Sequence, residues 1–189
     1  MSENLKRCPW CIGSEIYEKY HDEEWGVPLR DDHKHFEFLL LETMQAGLSW
    51  LTILKRRENY RRAFANFNPK IVAKFDQAKI EELMQNAGII RNRRKIEAAV
   101  TNANKFLHVQ QEYGSFDKFI WQFTNGVVVK NSWANINQVK PTTDLSDLVA
   151  KELKKIGFKF VGSTTVYAHL QAIGIVNDHL IDCFRYQEV

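Results

Sequence analysis

Asn177-Asp178-His179-Leu180-Ile181-Asp182-Cys183 sets a histidine and a cysteine four residues apart near the far end of the chain. Read as a helix, this stretch projects both side chains from one face, one turn apart. A His and a Cys so spaced supply half of a tetrahedral zinc site, and a metal with two protein ligands is poorly held. The other half is expected at the opposite end, where Cys8, Cys11 and His21 cluster. Two completions are open: Cys8 and Cys11 both give thiolates, or one of them joins His21 while the other stands aside. In either case a metal that joins the two ends sets the architecture.

The chain between them has 189 residues, enough for one domain with a well-developed core. Apolar residues make up 44% and charged residues 26%, with a net charge of +3, so composition alone announces no nucleic-acid binder. The N-terminus has no apolar core of a signal peptide, and no apolar run is long enough to span a bilayer. Three cysteines argue against a secreted disulfide framework, which points to a cytoplasmic protein with reduced or metal-bound thiols.

Helix signals follow one another. Asp31-Asp32 cap a helix through Phe36, Leu39, Leu40 and Leu41 that Gly47 stops, and Ser49 caps the next. Asn68-Pro69 and Asp76 start two more, the second ending before Gly88. Helical spacing runs from about Arg94 to Gln111, and Ser115 opens a short helix ending near Gly126. Residues 127–142 read as an irregular connection with at most one short strand. Helix then resumes from Thr143 to Gly157, from Ser163 to Gly174, and again at Asn177. No alternating strand pair is expected, so the fold is mainly α, with residues 1–189 as a single domain.

Four features bear on chemistry. Glu42 lies in a helix that is apolar almost all round, where a carboxylate is costly unless paired. Trp10, Tyr17, Tyr20, Trp25 and Trp50 crowd the neighbouring segments, and aromatic walls around a carboxylate suit a flat cationic ring. In Lys154-Lys155-Ile156-Gly157-Phe158-Lys159-Phe160-Val161-Gly162-Ser163, two helices flank a glycine-bounded turn whose backbone N–H groups can grip a phosphate. Basic clusters at Lys55-Arg56-Arg57 with Arg61-Arg62, and at Arg91 with Arg93-Arg94-Lys95, suggest charge gathered on one side. Cys8-Pro-Trp-Cys11 also matches a redox Cys-x-x-Cys pair, but the βαβ setting of such pairs is missing.

Several ordered motifs together resemble the 3-methyladenine DNA glycosylase I family over nearly the whole chain. They are Arg-Cys-x-Trp at 7–10, Tyr-His-Asp-x-Glu-Trp-Gly-Val-Pro at 20–28, and Gln-Ala-Gly-Leu-Ser-Trp at 45–50. Further matches are Arg-Glu-Asn-Tyr-Arg at 57–61, Ala-Gly-Ile-Ile-Arg at 87–91, Gly-Phe-Lys-Phe-Val-Gly at 157–162 and Val-Asn-Asp-His at 176–179. The resemblance implies a helix–hairpin–helix DNA glycosylase fold, with that element near residues 145–175 and its hairpin at Gly157 to Gly162. It implies one structural zinc on Cys8, His21, His179 and Cys183, and it leaves Cys11 as a departure from the family pattern. It makes Glu42 the carboxylate that recognises the damaged base, with Tyr17, Tyr20, Trp10, Trp25 and Trp50 around it.

The implied reaction is hydrolytic release of free 3-methyladenine from alkylated double-stranded DNA, by a monomer without strand cleavage. Gly157, Lys159, Gly162 and Ser163 are the expected DNA contacts, and Leu48, in Ala46-Gly47-Leu48, the expected wedge in the vacated base stack. Asn177 fills the place where relatives in the wider superfamily carry a catalytic aspartate. An amide is no base toward water, so catalysis is expected to rest on a leaving group that is already cationic. The competing readings are a non-catalytic DNA-binding module with a structural zinc and a redox protein using Cys8 and Cys11.

Overall fold

A computed structural model describes residues 5–189. Ten α-helices dominate the described residues: α1 Glu15–Glu23, α2 Asp32–Gln45, α3 Trp50–Leu54, α4 Arg57–Ala63, α5 Pro69–Val72, α6 Gln77–Gln85, α7 Arg93–Tyr113, α8 Phe116–Trp121, α9 Asp144–Ile156 and α10 Ser163–Ala172. The expected caps form, each satisfying a backbone N–H that the helix start leaves free. Asp31, Ser49, Asp76, Ser115 and Thr143 accept from the N–H three residues on, and Asn68 from that of Lys70.

Helix α2 is the axis of the molecule. Its residues from His35 to Met44 are all buried, because α3, α7, α8 and α10 pack around it. Phe36 meets Phe106 of α7 edge-on at 5.2 Å, and Phe106 stacks on Phe116 of α8 at 4.5 Å. Lys95 of α7 turns inward and donates to the carbonyls of Met44 and Ala46 at 2.8 and 2.5 Å, satisfying the C-terminus of α2. Glu42 is carried on this enclosed helix.

One expectation fails at the stretch that opened the sequence reading. Val176–Asn177 is a strand, β2, paired in parallel with β1, Val129–Lys130, and residues 178–183 are irregular, with a turn at 181–182, rather than a helix. The cause is the Asn177 side chain. It accepts from the His179 N–H at 3.1 Å and donates to the carbonyls of Tyr186 and Val189, so the chain folds back on itself instead of coiling. The expected absence of any strand pair is corrected by the same two-residue ladder.

Gly174, at φ +69°, lies so close to the Val27–Pro28 backbone that a Cβ there would collide with it. This close approach lets Gly26 and Leu29 donate to the carbonyls of Gln171 and Ile173 at 3.1 and 3.0 Å, which binds the N-terminal segment to the end of α10. Helices α9 and α10 pack against each other across the turn from Gly157 to Gly162. Gly157 closes α9 at φ +107°, and Phe160 sits in the left-handed region at φ +56°. Asn102 of α7 clamps this turn. Its Oδ1 accepts from the Lys159 N–H at 2.7 Å and its Nδ2 donates to the Lys159 carbonyl at 3.0 Å.

The basic clusters are not all free charge. Arg57 donates to both oxygens of Glu24 and to Glu37, Arg61 donates to Glu37, and Arg93 pairs with Glu81. With Lys95 buried, the exposed remainder is Lys55, Arg62, Arg91, Arg94, Lys154, Lys155 and Lys159. No helix among the described residues is long and apolar enough to cross a membrane.

Candidate active site

Glu42, Gln45, Trp10, Tyr17, Tyr20, Trp25 and Trp50 line a cavity of about 280 Å³, closed on the other side by Ile136, Val139, Ala168, Gln171 and Asp178. Every base-recognition residue expected from the sequence is therefore on one cavity. Tyr17 and Tyr20 come from successive turns of α1, Trp50 from the start of α3 and Glu42 from the last turns of α2. The aromatics brace one another. Trp10 lies 4.9 Å from the rings of both Tyr17 and Trp25, and Tyr20 lies 5.4 Å from Trp50.

Glu42 is 3% exposed, and its Oε2 is buried with no hydrogen-bond partner. Burial among these rings pushes its carboxyl up to about 8, so it is protonated at neutral pH. Burial, and then the nearby Glu42, push the Tyr20 hydroxyl well above its ordinary value. The indole Nε1 of Trp50 is likewise buried without a partner. Two polar atoms are thus held unsatisfied in the cavity, and a ligand with matching groups would satisfy both.

Behind the aromatic wall, Cys8, His21, His179 and Cys183 come together, all buried, with their ligand atoms within 4.8 Å of one another. This group could hold a metal ion. His179 Nδ1 lies 3.7 Å from Cys8 Sγ and 3.5 Å from Cys183 Sγ, and His21 Nε2 lies 3.4 Å from Cys183 Sγ. The outward ring nitrogens are fixed from behind: His21 Nδ1 by Asp22 at 2.8 Å and His179 Nε2 by the Trp25 carbonyl at 3.1 Å. Cys183 is held low by the hydrogen bond of Cys8 and then by His179 and His21, while Cys8 is raised by that same bond. Cys11 is outside the group. Its Sγ–H donates to the Cys8 carbonyl at 3.1 Å, and burial pushes the thiol up to about 12, so no redox-ready thiolate exists there.

Gln45, Ile136, Val139, Ala168, Gln171 and Asp178 were not anticipated. Gln45 was legible, since it follows Glu42 by one helical turn. Ile136 and Val139 belong to the irregular connection, and no periodicity marks them. Asp178 adjoins His179 in a run that reads as surface. The expected DNA contacts lie elsewhere. Leu48 is exposed at the end of α2, Lys159 is exposed on the α9–α10 turn, and the Ser163 hydroxyl is engaged with that of Ser146 at 2.8 Å.

The family model of methyladenine glycosylase matches residues 10–186. The chain is 48% identical over 177 residues to the DNA-3-methyladenine glycosylase of Haemophilus influenzae, covering 94% of this chain and 96% of that protein. It is 45% identical over 182 residues to DNA-3-methyladenine glycosylase 1 of Escherichia coli, covering 96% and 97%. Among solved structures, 3-methyladenine DNA glycosylase I from Staphylococcus aureus superposes with a TM-score of 0.92 at 39% identity, over 96% of this chain and 97% of that one. A variant 3-methyladenine DNA glycosylase I in complex with 3-methyladenine superposes with a TM-score of 0.91 at 39% identity, over 94% and 96%. A match that takes in the aromatic cavity and the turn between α9 and α10 leaves one assignment: the chain belongs to the methyladenine glycosylase family.

Proposed function

We infer that this chain is a DNA-repair glycosylase that turns an N3-methylated adenine out of alkylated duplex DNA and hydrolyses its N-glycosidic bond. The observation that carries this is Glu42: a buried, unpaired carboxyl among five aromatic rings, beside an unpaired indole N–H. N3-methylated adenine is a flat cation. Stacked between the rings, it stabilises ionised Glu42, which then accepts hydrogen bonds from the base edge. Neutral adenine leaves the ionisation of Glu42 uncompensated, and this difference is the source of selectivity. When the C1′–N9 bond breaks, its electron pair leaves with the base as neutral 3-methyladenine. The positive charge passes to the deoxyribose as an oxocarbenium ion, water adds at C1′, and a proton goes to solvent, leaving an abasic site. Such a reaction needs charge stabilisation more than a strong base.

The family resemblance and the geometry of the donor set both support a structural zinc. With Zn–S about 2.3 Å and Zn–N about 2.0 Å, a tetrahedral centre requires S···N edges of roughly 3.5 Å. The measured edges are 3.4, 3.5 and 3.7 Å. Two thiolates and two imidazoles close the coordination, so the ion would serve as a clasp away from the chemistry. The α9–α10 turn reads as a helix–hairpin–helix element. Its backbone N–H groups at Gly162 and Ser163, with Lys159, would bind phosphate while Leu48 fills the gap left by the extruded nucleotide.

The test is release of free base. Incubated with DNA methylated at adenine N3, the wild-type protein liberates 3-methyladenine and leaves alkali-labile abasic sites. No free base from wild type would overturn the reading. Glu42→Gln keeps its fold and loses most affinity for 3-methyladenine; unchanged affinity would remove Glu42 from base recognition.

A further inference from the structure

We propose that Asp178 is the standing negative charge of the cavity, stabilising the cationic deoxyribose as the base departs; this rests on the glycosylase reading above. Asn177, one residue earlier, cannot do so, because its amide is turned toward Tyr186, Val189 and the His179 backbone. Asp178 instead lines the cavity, at 3% exposure. Four donors fix it. Asn131 Nδ2 and Trp133 Nε1 reach Oδ1, each at 2.7 Å, while the Tyr167 hydroxyl and Gln171 Nε2 reach Oδ2 at 2.5 and 2.7 Å.

An arrangement of donors around both oxygens is the surroundings of an ionised carboxylate, which can only accept. All four donors are neutral, and no ion pair among the described residues includes Asp178. A buried anion without a counter-cation is expensive. Here it faces the cavity that is expected to receive a cation, and the substrate supplies the missing charge.

The two carboxylates then divide the work. Glu42 carries a proton at neutral pH and loses it to solvent when the cationic base binds. Asp178 is fixed by four donors, two on each oxygen. It remains as a preorganised field toward the side where charge develops on the sugar.

Asp178→Asn preserves size and removes the charge. Single-turnover excision of 3-methyladenine should fall roughly a hundredfold, the scale of losing one preorganised electrostatic group. Bound metal and affinity for duplex carrying an abasic site should hold. Tyr167→Phe deletes one donor but keeps the charge, and should slow excision roughly fivefold or less, the scale of one hydrogen bond. An Asp178→Asn rate within that range, or a Tyr167→Phe loss as large as that of Asp178→Asn, overturns the proposal.

A second measurement does not require the Asp178 variant to fold. In Glu42→Gln protein, duplex with a cationic pyrrolidine in place of the target sugar should bind roughly tenfold or more tightly than duplex with neutral tetrahydrofuran there. Equal binding overturns the assignment. A wild-type protein that releases no base would instead sink the glycosylase reading itself.

Discussion

Folding raises the carboxyl of Glu42 from an ordinary 4.5 to about 8, so the native chain holds a proton that the unfolded chain has lost throughout that interval. Stability therefore falls as pH rises from 4.5 toward 8, by up to about 5 kcal/mol. Glu42→Gln abolishes this dependence. Its thermal midpoint should exceed that of wild type at pH 8 to 9, with the difference vanishing toward pH 4.5; parallel melting profiles would contradict it. His169 works in the other direction. Its imidazole is buried with both nitrogens unpartnered, and burial lowers it to about 3. Below pH 6.5 the unfolded chain takes up a proton that the native chain refuses until about pH 3, so acid destabilises the fold. His169→Leu should flatten the acid limb of the melting curve, measured from pH 7 to 4. Glu42 was legible from sequence because the aromatics near its apolar helix made a solvated edge position a poorer explanation, and the family resemblance supplied its role. Asp178 was not, because its meaning comes from Asn131, Trp133, Tyr167 and Gln171, which only the folded chain gathers.

At the scale of elements, the helices announced themselves where a capping side chain preceded an apolar period, as at Asp31, Asn68, Asp76, Ser115 and Thr143. The segment after Gly174 was misread because Asn177 forms its decisive bonds with residues nine and twelve positions later. The α9–α10 turn was legible as a turn, but its exact shape was not. That shape depends on Asn102, whose amide holds both sides of the Lys159 peptide and so keeps Phe160 in the left-handed region. Asn102→Ala should leave affinity for free 3-methyladenine unchanged while weakening binding to abasic-site duplex roughly tenfold, as two buried hydrogen bonds are lost. A matching fall in both affinities would mean general loosening rather than loss of the turn.

For the whole molecule, the Cys/His group connects the first described residues to the last, and its rings touch the cavity wall. Trp25 lies 4.6 Å from the His179 ring and 4.9 Å from Trp10. Metal loss should thus act on two observables at once. Cys183→Ser, or exhaustive chelation, should lower the thermal midpoint and weaken base binding, whereas Cys11→Ser should retain one metal per chain by elemental analysis. Retention of metal by the Cys183 variant would reassign the ligands. The same group also imposes a timetable on biosynthesis. Cys8 leaves the ribosome long before Cys183, and at ordinary elongation rates the interval is roughly ten to thirty seconds. During that time Trp10, Tyr17 and Trp25 have no partner at the far end to hold them, and α2 can bury its own apolar faces first. A nascent chain therefore cannot fix its base-binding wall until the residues around His179 and Cys183, which also complete the core, have emerged.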